Sequence, residues 1–121
     1  MEKVNSEFDF RPWHLIPSWL NESESYYWMN QIQNSLDWYR PTVRLYGKNH
    51  VIPRMCFFLA DSGISYKYSG TQHFGEGWPE WFSPLLKKVN LISNVNFNGC
   101  LLNLYRNGSD SMGWHSDNEP E

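Results

Sequence analysis

The segment from Phe97 to Asp117 restricts the fold more than any other part of the chain. Phe97 to Arg106 alternates as a strand does, with Cys100, Leu102 and Leu104 on one face and Leu101, Asn103 and Tyr105 on the other. Asn107-Gly108 is a strong turn signal. A second strand predicted over Met112–Asp117 puts Gly113, His115 and Asp117 on one side and Trp114 and Ser116 on the other. Two antiparallel segments joined in this way would aim an amide, a phenol, an imidazole and a carboxylate into a common cavity.

The remainder supplies helices and short strands for one α+β domain. Residues 1–20 read as an irregular lead interrupted by Pro12 and Pro17, and the domain body as 21–121. Asn21 or Ser23 can cap a helix over about 22–36. Glu22 and Glu24 favour its first turn, and Trp28, Ile32 and Leu36 form a stripe predicted to pack on a sheet. Thr42–Tyr46 reads as a strand entering a hairpin at Gly47-Lys48, Met55–Leu59 as an apolar strand, and Ile64–Tyr68 as another after the Asp61-Ser62-Gly63 turn. Ser83 as cap and Pro84 at the first position open a second helix, whose stripe is Leu85, Leu86, Val89 and Ile92.

Composition narrows the class. With 121 residues there is room for one domain, and an aromatic share of 17% is too high for a disordered segment. No apolar run approaches the roughly 18 residues of a membrane span, and the N-terminus shows no signal core. An intracellular setting, cytoplasmic or nuclear, is therefore expected. Cys56 and Cys100 sit in apolar stretches without a CxxC partner, which predicts buried free thiols. Net charge is −3, yet between Trp38 and Gly75 the only acid is Asp61, against Arg40, Arg44, Lys48, Arg54 and Lys67. Local potential of that kind suits contact with a phosphate backbone, although a short basic stretch is also compatible with an ordinary solvated surface.

His115-Ser116-Asp117 is an H-x-D dyad. Residues two apart on a strand point the same way, so one imidazole nitrogen and one carboxylate oxygen can reach a single ion, as in the facial triad that suits non-heme Fe(II). Alone the dyad is weak. It stands, however, in an ordered run: Phe97-Asn98-Gly99, Asn103-Leu104-Tyr105-Arg106-Asn107-Gly108, then Asp110 through Glu119. That run resembles the metal-binding region of the AlkB family of nucleic-acid dealkylases, FN…N-x-YR-x-G-x-D-x-(I/M)-G-x-H-x-D-x-E. A second block, Pro53-Arg54 with Asp61-Ser62-Gly63-Ile64-Ser65-Tyr66-Lys67-Tyr68-Ser69-Gly70, is similar to the family's P-R…G-D-x-G-x-x-Y-x-(F/Y)-S-G segment.

The resemblance covers about Leu45 to Glu119 and implies roles position by position. His115 and Asp117 would hold Fe(II), and Asn103 and Tyr105 would contact 2-oxoglutarate. Tyr66, Lys67, Tyr68 and Ser69 would belong to the pocket for a damaged base, with Tyr68 as a stacking face. Tyr46, with Gly47 and Lys48 beside it, would be a finger entering the base stack. Arg54 and Lys48 would contact phosphates, and Glu119 would sit near the base. Asn118 stands where the family usually has an acid.

The implied reaction is oxidative dealkylation of bases in DNA or RNA, using Fe(II), 2-oxoglutarate and O2, by an enzyme monomeric at full length. The implied fold is a double-stranded β-helix, or jelly roll, incomplete here and carrying two helices packed on the sheet. The chain ends at Glu121, four residues beyond Asp117, before the family's third iron ligand and the arginines that grip 2-oxoglutarate. His14, His50 and His73 precede the dyad, lie outside the pattern, and are expected to be exposed or turn histidines. On this reading the 121 residues alone are inactive, and a non-catalytic nucleic-acid-binding module using Tyr46, Arg54 and Tyr68 is the alternative.

Overall fold

A computed structural model describes residues 12–68 and 71–115. The chain divides into two compact units, one ending at Ser35 and the other beginning at Leu36.

The first unit carries helix α1 (Glu22–Ser35). Asn21 is its cap. The Asn21 side chain accepts from the Glu24 N–H at 2.8 Å, and the Glu24 carboxylate accepts from the Asn21 N–H at 3.2 Å. This reciprocal box satisfies two amides that a helix start otherwise leaves unpaired. No residue of α1 is buried, and Trp28 and Ile32 are only half-buried.

In the second unit the strands pair two by two, all antiparallel: β1 (Thr42–Leu45) with β2 (Lys48–Val51), β3 (Met55–Ala60) with β6 (Gly99–Leu104), and β4 (Ser65–Tyr68) with β5 (Thr71–Phe74). A 3-10 turn at Glu80–Phe82 leads into α2 (Ser83–Ser93). Ser83 is the first helical residue and not the cap. Phe82 holds the cap position without a side-chain bond, and Pro84 sits in the first turn, where its missing N–H costs nothing. Asn94, left-handed at φ 55°, ends the helix, and Asn90 accepts the Phe97 N–H at 3.0 Å to turn the chain toward β6.

The β3–β6 pair is the centre of the core. Met55 faces Leu104, Cys56 faces Asn103, Phe58 faces Leu101 and Ala60 faces Gly99. Cys56, Phe58, Leu59 and Ala60 are buried, as are Ile52 and Phe82. On the Cys56–Phe58–Ala60 face, the Phe58 ring stacks on Tyr66 with centroids 6.0 Å apart. No closed double-stranded helix is present among the described residues. Each pair is a small sheet of its own, and α2, like α1, has no buried residue. Of the strand predicted over Met112–Asp117, the described part, Met112–His115, is irregular, no described strand lying alongside to complete a ladder; Ser116 and Asp117 lie outside the described residues.

Gly75 marks the tightest approach in the unit. Its N–H donates to the Ile64 carbonyl at 2.7 Å, and a Cβ there would strike the Asp61 carbonyl oxygen and stand 2.7 Å from the Ala60 Cβ. Backbone crowding of this kind has no flexible side chain to yield. Gly75→Ala is expected to cost about 1–3 kcal/mol and to lower Tm by about 5–10 °C, readable by calorimetry. Gly108→Ala, which meets no atom within 4 Å, serves as the control and is expected to melt with the parent chain.

Candidate active site

The β3–β6 register decides what stands beside Asn103. Cys56 lies directly opposite, and Arg54 precedes β3 on the same side as Cys56. The Arg54 Nε donates to Asn103 Oδ1 at 3.1 Å, and the Cys56 thiol donates to the same oxygen at 3.2 Å. Burial pushes the Cys56 thiol up, though Arg54 opposes this, so at neutral pH it remains a donor. Arg54 is 3% exposed. The expectation that it contacts phosphate fails for that reason, because its guanidinium is committed inside the fold. Asn103 itself is exposed, as is Tyr105 just past the strand.

Arg106 and Asp110 shape the link from β6 toward His115. The Arg106 Nε and Nη2 reach the two Asp110 oxygens at 2.8 and 2.9 Å, and the Arg106 N–H donates to the same carboxylate at 2.9 Å. Asn107 adds an Asx turn by accepting from Ser109 N–H at 2.8 Å. The Arg106 guanidinium holds the Asp110 carboxyl well below the usual carboxylate range. The turn expected at Asn107-Gly108 is present, with the Asp110 N–H donating to the Asn107 carbonyl at 3.1 Å, and the ion pair closes a loop around it. Beyond it the Ser111 N–H donates to the Pro53 carbonyl at 3.0 Å, bringing the chain back beside Arg54.

His115 is exposed, and its Nδ1 lies 2.9 Å from the Gly113 carbonyl oxygen. A carbonyl can only accept, so Nδ1 carries the proton and the neutral ring keeps its lone pair on Nε2. That tautomer directs metal ligation to Nε2, with the backbone contact orienting the ring. No group of three or more metal-ligating side chains occurs among the described residues. Asp117, Asn118, Glu119 and Ser69 lie outside the described residues, as does the side chain of Tyr68.

The β1–β2 hairpin turns on Tyr46 and Gly47, at φ 51° and 76°. Positive φ at both centres is a type I′ turn, which favours Asn-Gly. An aromatic residue in that region costs roughly 1–2 kcal/mol. Tyr46 is nevertheless fully exposed, flanked by the exposed Arg44 and Lys48. Lys67 is exposed on β4, whereas Tyr66 is half-buried against Phe58.

Two features depart from what the sequence suggests. One is the Arg106–Asp110 pair, whose signal was opposite charges four apart across a turn. The other is His73, which is 4% exposed on β5 with its Nδ1 hydrogen-bonded to the Tyr39 hydroxyl at 2.5 Å; it is neither exposed nor in a turn. A half-open cleft of about 370 Å³ lies at Tyr39, Phe57 and His73, and no predicted site residue lines it. His14 and His50 are exposed, Cys56 is buried and Cys100 half-buried, and both thiols are free.

The 2OG-Fe(II) oxygenase superfamily matches residues 12–121. The DNA oxidative demethylase ALKBH2 of Arabidopsis thaliana is 32% identical over 86% of this chain and 34% of its own length. That of Bos taurus is 33% identical over 65% of this chain and 28% of its own. The human alpha-ketoglutarate-dependent dioxygenase alkB homolog 3 is 28% identical over 88% of this chain and 37% of its own. The chain thus spans about a third of the length of these relatives.

Burial lowers the His73 pKa from its ordinary value of 6.5. Below that value the unfolded chain binds a proton that the folded chain refuses, so stability falls as the pH drops from 7 toward the lowered value. The slope is at most about 1.4 kcal/mol per pH unit. Denaturant titrations between pH 7 and 5 are expected to show it, and His73→Gln is expected to flatten it.

Proposed function

The chain belongs to the 2OG-Fe(II) oxygenase superfamily, on its AlkB side, and from that premise we propose that it is part of an enzyme that oxidatively dealkylates nucleic-acid bases. The observation that carries this reading is the polarity of Asn103. With Oδ1 occupied by Arg54 and Cys56, the amide turns its N–H donors away from them, on the strand that leads to Tyr105. A carboxylate-bearing cosubstrate needs such donors.

His115 and Asp117 would hold Fe(II), and the imidazole tautomer set by Gly113 fits that task. Bound there, the metal with O2 and 2-oxoglutarate supplies the oxidising power. The protein's own residues position and present. Asn103 and Tyr105 orient the cosubstrate, Tyr66, Lys67, Tyr68 and Ser69 shape the base pocket, and Asn118 and Glu119 stand near the base. Tyr46 on its hairpin takes the place of the extruded base, with Arg44 and Lys48 beside it for phosphates. The jelly-roll closure typical of such enzymes would require strands beyond β1–β6.

Incubating the polypeptide of the complete reading frame with Fe(II), 2-oxoglutarate and an N-methylated oligonucleotide is expected to give succinate and formaldehyde in equal amounts. His115→Ala should reduce both more than about 100-fold. Succinate formation that ignores this change would reject the assignment.

The strained Tyr46 gives a second expectation. Tyr46→Asn should raise Tm by about 3 °C by relieving the turn. It should also weaken binding of single-stranded DNA about tenfold, through loss of one stacking face. Stabilisation without a loss of binding would show that the tyrosine is not a nucleic-acid contact.

A further inference from the structure

We infer that Arg54 is a positioning residue: it holds the Asn103 side chain in the one orientation that presents its NH2 group to an anionic ligand. The inference rests on the reading of Asn103 as a cosubstrate contact and names what makes that contact possible.

A primary amide is nearly symmetric in shape, so its two orientations differ only in which atoms meet which partners. Guanidinium nitrogens donate and never accept. The atom of Asn103 that lies 3.1 Å from Arg54 Nε must therefore be the oxygen, and the Cys56 thiol at 3.2 Å uses the same oxygen's second lone pair. Rotating the amide by half a turn would set an NH2 against a buried cation and a thiol proton together. Arg54 cannot withdraw to relieve this, because it is 3% exposed. Among the described residues no buried side-chain nitrogen or oxygen is left without a hydrogen-bond partner. The flipped state would break that condition at its costliest point, beside a charge.

A second consequence is electronic. A charged donor on an amide oxygen draws density from the nitrogen and strengthens the N–H groups as donors. Through Asn103, part of the Arg54 charge is felt by whatever binds the amide. Arg54 thus acts on a carboxylate ligand without touching it, from the interior side of the β3–β6 pair. A phosphate contact, by contrast, would require a guanidinium at the surface.

The test uses the polypeptide of the complete reading frame, with Arg54→Met, Arg54→Lys and Asn103→Ala, and diamagnetic Zn(II) in place of Fe(II), so that nothing turns over and no paramagnetic ion broadens the resonances. Two quantities are read: the side-chain NH2 resonances of Asn103 by NMR, and the Kd for 2-oxoglutarate by calorimetry. Arg54→Met is expected to shift and broaden the Asn103 resonances and to raise Kd about tenfold, the scale of one charge-assisted hydrogen bond. Arg54→Lys should restore part of both. In the Asn103→Ala background, Arg54→Met should add less than about twofold, because the two act as one unit. Single-stranded DNA affinity should stay within about twofold throughout.

Asn103 resonances unmoved by Arg54→Met would overturn the inference. So would equal and independent losses of 2-oxoglutarate affinity from the two changes, or a loss confined to DNA binding. If the resonances move while Asn103→Ala leaves 2-oxoglutarate affinity intact, the orienting role stands and the cosubstrate reading of Asn103 fails. Should Arg54→Met not fold, judged by its melting curve, the Arg54→Lys comparison decides between the same outcomes.

Discussion

One register, Cys56 opposite Asn103, underlies the rest of the site. Slipping β3 against β6 by a single residue would turn every side chain on the moved strand to the other face. Phe58 and Ala60 would leave the core, and Asn103 would lose both donors that fix its amide. The register is itself held by fit. Gly99 opposite Ala60 leaves room for the Phe58 ring, which a Cβ on Gly99 would approach to 3.3 Å. Gly75 closes over Ala60 from beyond. Small residues at one end of the pair thus set the alignment of polar ones at the other.

A buried arginine is costly unless its donors are met. Here the cost is offset locally, by an amide oxygen that would otherwise face water, and the result is a rigid polar group at an exposed strand end. Tyr46 shows the opposite arrangement. Its backbone carries strain and its side chain gains nothing from the fold, since it is wholly in solvent. A turn position that accepts asparagine more easily keeps an aromatic ring, and a ring held out with cations on either side suits a stacked partner better than it suits the hairpin.

Patterns within a few residues were legible in the sequence. The α1 start, the β1–β2 hairpin, β3, α2 and β6 lie close to where alternation, helical spacing and turn residues put them. Long-range pairing was not, because nothing local in Pro53-Arg54 says that it will meet Asn103, 49 positions away. The same gap explains Arg54 and His73. Arginine and histidine are usually solvated, and only the arrival of Asn103 and Tyr39 makes their burial tolerable. Over Met112–His115 the expected strand does not form, for a related reason. Alternation gives a segment two faces, but a ladder needs a neighbour.

The loop at Asn107–Asp110 connects the two motif blocks. The Arg106–Asp110 pair closes the chain on itself four residues apart, and because Asp110 keeps its charge far into acid, the closure persists across the ordinary pH range. A surface ion pair of this kind adds little to global stability. Its effect is directional. It delivers Ser111 to the Pro53 carbonyl, so the segment leading to His115 departs from the residue next to Arg54. The residues that orient the amide and the residue suited to hold a metal are therefore tied to one short stretch of backbone, Pro53-Arg54. A disturbance there would reach both the cosubstrate contact and the approach to the metal, which the sequence alone would assign to separate motifs.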